Sequence, residues 1–353
     1  MGETNTGALC QKESTERNYL FDNCKALLIF LVAAIHMSAA ARSACGAETV
    51  PDILMLTASS FHMPLFMMIS GYFSKRVKRE RVTDAVIIYL TAQALFFVFD
   101  FFFTYGMLFK KITVVGILSP GFSMWYLFAL IFLRLFHREI SSMRYSLAIA
   151  AVISIAVMGC NMDTAGRQAV VKTIAHAIYF IIGMNLTPEH IKMLRRFPKW
   201  VYAVGFAAGA GVLVVMTVVF RLLSANTLRL MTIRAKSADD LGGGIKPYLM
   251  YVFVTLMALY MSAMILGLMT DRKTKFSIFG RNTVTVYIVQ AFAYLIYCPV
   301  AKRLSLYLPS IAVYILGLML AALCVAGAGN SKVAGLFSEW VSIVEKKIFK
   351  ARG

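Results

Sequence analysis

The sequence predicts an all-α, polytopic integral membrane protein with about ten transmembrane helices and both termini cytoplasmic. Three observations carry this expectation. Of 353 residues, 59% are hydrophobic and only 15% charged, with a mean hydropathy of +0.72. A soluble domain of this length needs more polar surface over its core. Apolar windows long enough to cross about 30 Å of hydrocarbon recur ten times, at 20–41, 52–73, 83–107, 122–136, 145–160, 173–187, 200–222, 248–270, 284–300 and 310–328. Lys and Arg fall unevenly around them: 22 lie in the segments that an inward N-terminus makes cytoplasmic, against 12 toward the outer side. That asymmetry follows the positive-inside rule. The formal net charge of +19 is thus a matter of topology and anionic headgroups, and nucleic acid is not expected as a partner.

The chain divides into a cytoplasmic segment 1–19, a ten-helix domain 20–328 and a basic amphipathic tail 329–353. The first window opens in RNYLFDNCKALLIFLVAAIH, residues 17–36. Ala39-Ala40-Ala41 imitates a leader-cleavage site, but Asp22, Lys25 and His36 inside the segment argue for a retained helix. Lys25 and His36 are eleven residues apart, three turns with about 20° of drift, so they share a face some 16 Å apart. Asp22 stands one turn before Lys25, at ion-pair spacing. A polar stripe from the cytoplasmic edge to a histidine deep in the bilayer is therefore expected, and such groups are default functional candidates. A neutral imidazole there takes a proton from a hydroxyl or attacks an activated acyl group; the same residue also serves as a hydrogen-bonded packing group.

The second window reads FHMPLFMMISGYFSKRVKRER, residues 61–81. His62 lies mid-helix, at a depth that lets it share a cavity with His36 or act as a structural donor. Pro64 is expected to bend the helix, and Gly71 to let a neighbour approach closely. The basic run that follows anchors topology, and Arg76 and Arg79 are spaced to fork onto phosphates of a nucleotide-bearing donor. In the third and fourth windows, Asp100 and Arg134 are candidates to neutralise each other or other polar groups. Trp125-Tyr126 suits an interfacial anchor better than a platform for a sugar.

The fifth to seventh windows add only His176 as an ionisable group of note. The outer loop after them contains SADDLGGGIKP, 237–247, which lacks the surroundings of a phosphate loop and reads as a flexible return into the eighth helix. Gln290, in the ninth window, completes the polar set. The tail SEWVSIVEKKIFKARG suits an interfacial helix on the inner leaflet. Six cysteines show no pairing pattern, and neither a disulfide framework nor a metal site is expected.

Asp22-Asn23-Cys24-Lys25 with the apolar run to His36, then FHMPLFMMISGYFSKR, resembles integral-membrane acyltransferase family 3, nearest in appearance to its fucose 4-O-acetylase-like members. MWYLFALIFLRL (124–135), YFIIGM (179–184) and GRNTVTVYIVQAF (280–292) extend the resemblance over nearly the whole chain. It implies a ten-helix enzyme of the cell's inner or plasma membrane that moves acyl groups, commonly acetyl, from cytoplasmic acyl-CoA to carbohydrate. By that resemblance His36 is the catalytic residue, the Lys25–His36 spacing is a family hallmark, and Arg76 and Arg79 belong to the donor site. Two departures stand out: Gln290 occupies a position where many relatives have a histidine, and Lys25 replaces an arginine. The sequence carries no part resembling the hydrolase-like domain of some relatives, so either this chain passes the acyl group to its acceptor directly or a partner protein completes the transfer. The rival expectation is a proton-coupled transporter of a small solute, whose relays also use membrane His, Asp and Arg.

Overall fold

The computed structural model describes residues 18–75, 79–103, 120, 123–157, 165–216 and 244–348, with the backbone alone at 79, 80, 100, 103, 165–168 and 348. Among these residues the regular structure is entirely helical. The helices are α1 (Tyr19–Cys45), α2 (Thr49–Tyr72), α3 (Arg79–Phe103), α4 (Trp125–Leu135), α5 (His137–Ser142), α6 (Ser146–Ala156), α7 (Ala165–Asn185), α8 (Pro188–Leu194), α9 (Lys199–Val214), α10 (Lys246–Leu268), α11 (Ser277–Arg281), α12 (Thr283–Leu304), α13 (Ser310–Ala328) and α14 (Ser331–Ile348).

Each of the ten apolar windows holds a helix. Six of them (α1, α2, α3, α10, α12 and α13) are long and apolar enough to cross a membrane. A seventh is reached if α7 and α8, bent by 99° at their junction, form one span. The helices α4, α6 and α9 are shorter apolar segments.

The first helix is the centre of the bundle. It packs against α2 on one side and α11, α12 and α13 on the other, and Leu28, Ile29, Ala33, Met37 and Ala41 on it are fully buried. Its start is capped by Asn18, whose side chain accepts from Phe21 N, and Asp22 in the first turn complements the helix dipole. Its end is closed by Gly46 at φ 90°, a conformation that favours glycine. The expected ten-residue link to α2 shrinks to residues 46–48, because α1 runs on to Cys45 and α2 begins at Thr49. Arg42 and Asp52, 2.8 Å apart, clasp the two helices over that turn.

Between helices in lipid, close packing rather than apolar burial holds the bundle together. The α2–α7 contact shows how. A Cβ on Gly71 would strike the Phe180 carbonyl, and one on Gly183 the Met68 carbonyl, so the two backbones touch where each chain has no side chain. Gly280 in α11 rests in the same manner against the Asp22 carbonyl. Outward-facing Phe101, Leu256, Ile311 and Leu323 remain more than half exposed, as lipid-facing residues do.

The tail forms α14, longer than the expected amphipathic stretch, and lies against α3, α12 and α13 through Phe337 and Val341. The Gly-rich stretch 237–243 lies outside the described residues; Gly244 is at φ 59° and α10 opens with Pro247 in its first turn.

Candidate active site

Asp22 and Lys25 form the expected ion pair, Nζ to carboxylate oxygen 3.0 Å, with Asp22 the more buried partner. The Lys25 ammonium also lies 5.8 Å from the centre of the Phe73 ring. Between these two charged residues stands Asn23, which sequence reasoning passed over. Its Nδ2 donates to the carbonyls of Thr270 and Arg272, both at 2.9 Å. Its Oδ1 accepts from Thr274 Oγ1 at 2.8 Å and Ser277 Oγ at 2.7 Å. All four capacities of a buried amide are filled, and the loop from Met269 to Phe276 is locked onto α1. Arg195 braces the same loop from the end of α8, donating to the Met269 carbonyl at 2.8 Å and meeting Asp271 at 3.3 Å. The backbone N–H of Asp271, and then Arg195, hold that carboxyl below the usual carboxylate range.

Three turns further along α1, His36 is half-buried. Its Nδ1 is 2.8 Å from Gln290 Oε1 on α12, and the Tyr294 ring stands edge-on with centroids 6.0 Å apart. Gln290 has no exposed surface. Its Nε2 donates to the Tyr287 carbonyl at 3.0 Å. Tyr287 in turn donates from its hydroxyl to the Ser123 carbonyl, at the one described non-glycine residue with positive φ, 64°. The Tyr126 ring packs on that of Tyr287 at 5.7 Å, and the Tyr126 hydroxyl meets Ser70 Oγ on α2 at 2.6 Å. A chain of contacts therefore joins His36 to α12, α4 and α2.

The polar stripe expected between Lys25 and His36 is not continuous. Ile29 and Val32 occupy its face, 0% and 3% exposed, because a helix packed on four neighbours fills the middle turns with apolar side chains. The face is sealed by packing in this conformation.

His62 and His176 form a second cluster. Each points Nδ1 at a carbonyl one turn back on its own helix, Ala58 at 3.0 Å and Lys172 at 2.8 Å. Trp125 lies against His176, centroids 4.8 Å apart, with the Lys172 ammonium 5.6 Å from the indole. His62 Nδ1 thus donates within α2, and Trp125 with Tyr126 packs inward where an interfacial anchor was expected. The tryptophan is half-buried and Tyr126 is buried.

Arg134 binds a hydroxyl at the end of α2: its Nε donates to Ser74 Oγ at 3.1 Å. Asp100 is 21 residues along α3 from Arg79, about 31 Å at helical rise. One turn before it, Phe96 stacks on Phe292 at 4.2 Å, so this stretch of α3 is level with the Gln290 end of the bundle. The Asp100 side chain lies outside the described residues, as do Arg76 and the side chain of Arg79. Lys75, just before them, donates to the Leu186 carbonyl and lies over the Tyr72 ring at 4.7 Å. Burial lowers its ammonium below the usual lysine range. No group of three metal-ligating side chains occurs among the described residues.

A family model described as an acyltransferase domain, the third family of that name, matches residues 18–328. No curated protein and no solved structure matches the chain.

Proposed function

Because the chain belongs to the acyltransferase 3 family of membrane proteins, we propose that it is an O-acyltransferase moving an acyl group, most simply acetyl, from cytoplasmic acyl-CoA to a sugar hydroxyl. The acceptor is a surface or secreted glycan or its lipid-linked precursor, and the enzyme resides in the cell's inner or plasma membrane. The observation that supports His36 as the centre of this chemistry is its fixed place. It is hydrogen-bonded to Gln290 and stands three turns above the Asp22–Lys25 pair on one helix. A half-buried imidazole in that position either deprotonates the acceptor hydroxyl or carries the acyl group briefly.

In this reading Arg76 and Arg79 take the phosphates of the donor, Lys25 and Asp22 orient its inner end, and the acyl-bearing arm reaches up to His36. The packed Ile29 and Val32 mean that the reaction needs a second conformation in which that face of α1 parts from its neighbours. The chemistry asks for no metal.

The test is transfer of label from [14C]acetyl-CoA to a glycan extract by purified protein, comparing wild type with His36→Ala. Labelled glycan from wild type alone supports the reading. Equal labelling by both removes His36 from the mechanism. No donor consumption by wild type, with proton-coupled flux in liposomes, replaces the enzyme by a transporter.

A further inference from the structure

We infer that Gln290 is a positioning residue for His36: its amide fixes which ring nitrogen carries the proton and thereby assigns the reactive lone pair to Nε2. This deepens the acyl-transfer reading and rests on it. The assignment follows from hydrogen-bond bookkeeping around one buried amide. The Tyr287 carbonyl is an acceptor only, so the end of Gln290 that meets it at 3.0 Å is the NH2 group. The opposite end, 2.8 Å from His36 Nδ1, is then the oxygen. An amide oxygen brings no proton, so Nδ1 supplies it. A neutral imidazole protonated at Nδ1 has its lone pair at Nε2.

The orienting group is itself held. Gln290 is fully buried, and Tyr287, whose carbonyl anchors it, is tied by its hydroxyl to the Ser123 carbonyl and by ring contact to Tyr126. An amide turning over would set oxygen against oxygen at Tyr287, in a buried place where an unsatisfied group costs ~1–3 kcal/mol.

The chemistry uses Nε2 in either route. As base, Nε2 takes the proton of the acceptor hydroxyl while that oxygen bonds to the acyl carbon. The carbon–sulfur bond breaks, and the thiolate leaves with its electron pair and takes the proton from Nε2. As carrier, Nε2 bonds to the acyl carbon and expels the thiolate while Nδ1–H stays on Gln290. The acceptor oxygen then displaces Nε2, which keeps its lone pair, and the hydroxyl proton ends on the thiolate. The amide is neutral throughout, so it orients the ring without adding a fixed charge beside it.

The experiment uses the full chain in lipid bilayers, labelled with 13C and 15N at its five histidines. The His36 ring signals are identified by their loss in His36→Asn. Wild type is expected to show the Nδ1–H form. Gln290→Leu shifts it to the Nε2–H form that unconstrained imidazole favours, and lowers kcat for thiol release from acetyl-CoA by ~10²-fold while the donor KM stays within about twofold. Gln290→Glu keeps the shape and an acceptor oxygen, and is expected to restore the Nδ1–H signal. An Nε2–H form in wild type overturns the proposal, as does a Gln290→Leu protein with unchanged spectrum and kcat. So does a folded Gln290→Glu protein that shows the same spectrum as Gln290→Leu. Absence of thiol release from wild type supplied with the glycan extract counts against the acyl-CoA reading alone, since the ring spectrum still decides the tautomer.

Discussion

Asn23 Oδ1 and the Ser277 hydroxyl meet at 2.7 Å across 254 positions of the chain. With Thr270, Arg272 and Thr274 on the same amide, this contact sets the loop between α10 and α11 against the first turns of α1. Asn23→Leu is expected to lower stability by about 2–4 kcal/mol, because two carbonyls and two hydroxyls each lose one hydrogen bond around this buried amide. Asn23→Asp is expected to be no better, since a carboxylate cannot donate to Thr270 and Arg272. Thermal unfolding in detergent checks both; a wild-type midpoint for Asn23→Asp would show that the clamp is dispensable.

Where a Cβ has no room, alanine should reveal it. Gly71→Ala and Gly183→Ala each press a methyl group onto the backbone of the opposing helix and are expected to destabilise by about 1–3 kcal/mol. Gly211 has nothing within 4 Å of the added atom. Gly211→Ala is expected to be neutral or stabilising by up to about 1 kcal/mol from helix propensity. The comparison is made on one unfolding assay, and equal effects at all three positions would contradict the packing described for α2 and α7.

Each apolar window proved to hold a helix because twenty-residue hydrophobic runs are the strongest signal a chain offers. The boundaries moved where polar residues extend a helix beyond its apolar part: α3 begins at Arg79, four residues ahead of its window. The Asp22–Lys25 pair was legible because local spacing decides it. Gln290 was visible as a polar residue in an apolar window and as a departure from a histidine, but its contact with His36 was not, since nothing local says that α12 lies beside α1. Asn23 stood in a motif of the resemblance but its role gave no signal; its partners are loop carbonyls and hydroxyls that belong to no periodic pattern. Ile29 and Val32 were read past, because a common face on a helical wheel does not reveal whether its middle is packed.

Donor binding should depend on the charge at the start of α1. Lys25→Met is expected to raise the KM for acetyl-CoA about tenfold, equivalent to ~1.4 kcal/mol, and to lower stability by removing the ammonium that lies 3.0 Å from the buried Asp22 carboxylate. Lys25→Arg is expected to keep the donor KM within about threefold, because the charge remains. Initial rates of thiol release against donor concentration settle this, and an unchanged KM for Lys25→Met would remove the residue from the donor site.

The sealed face between Lys25 and His36 makes a dynamic prediction. A thiol at Val32, which is 3% exposed in the native chain, is expected to react slowly with a small methanethiosulfonate in the resting protein. Addition of acyl-CoA should accelerate the reaction by about tenfold as α1 parts from its neighbours. Val32→Cys compared with the parent chain gives the rate. A reaction unaffected by donor would mean that the acyl group reaches its destination by some path other than this face.

The role of His36 is tested most directly by thiol release from acetyl-CoA in lipid nanodiscs supplied with the glycan extract, with wild type, His36→Ala and the closer-shaped His36→Gln at matched, folded amounts. Loss of at least about 10²-fold in kcat by both variants is predicted. Retention of the wild-type rate by either would contradict the account.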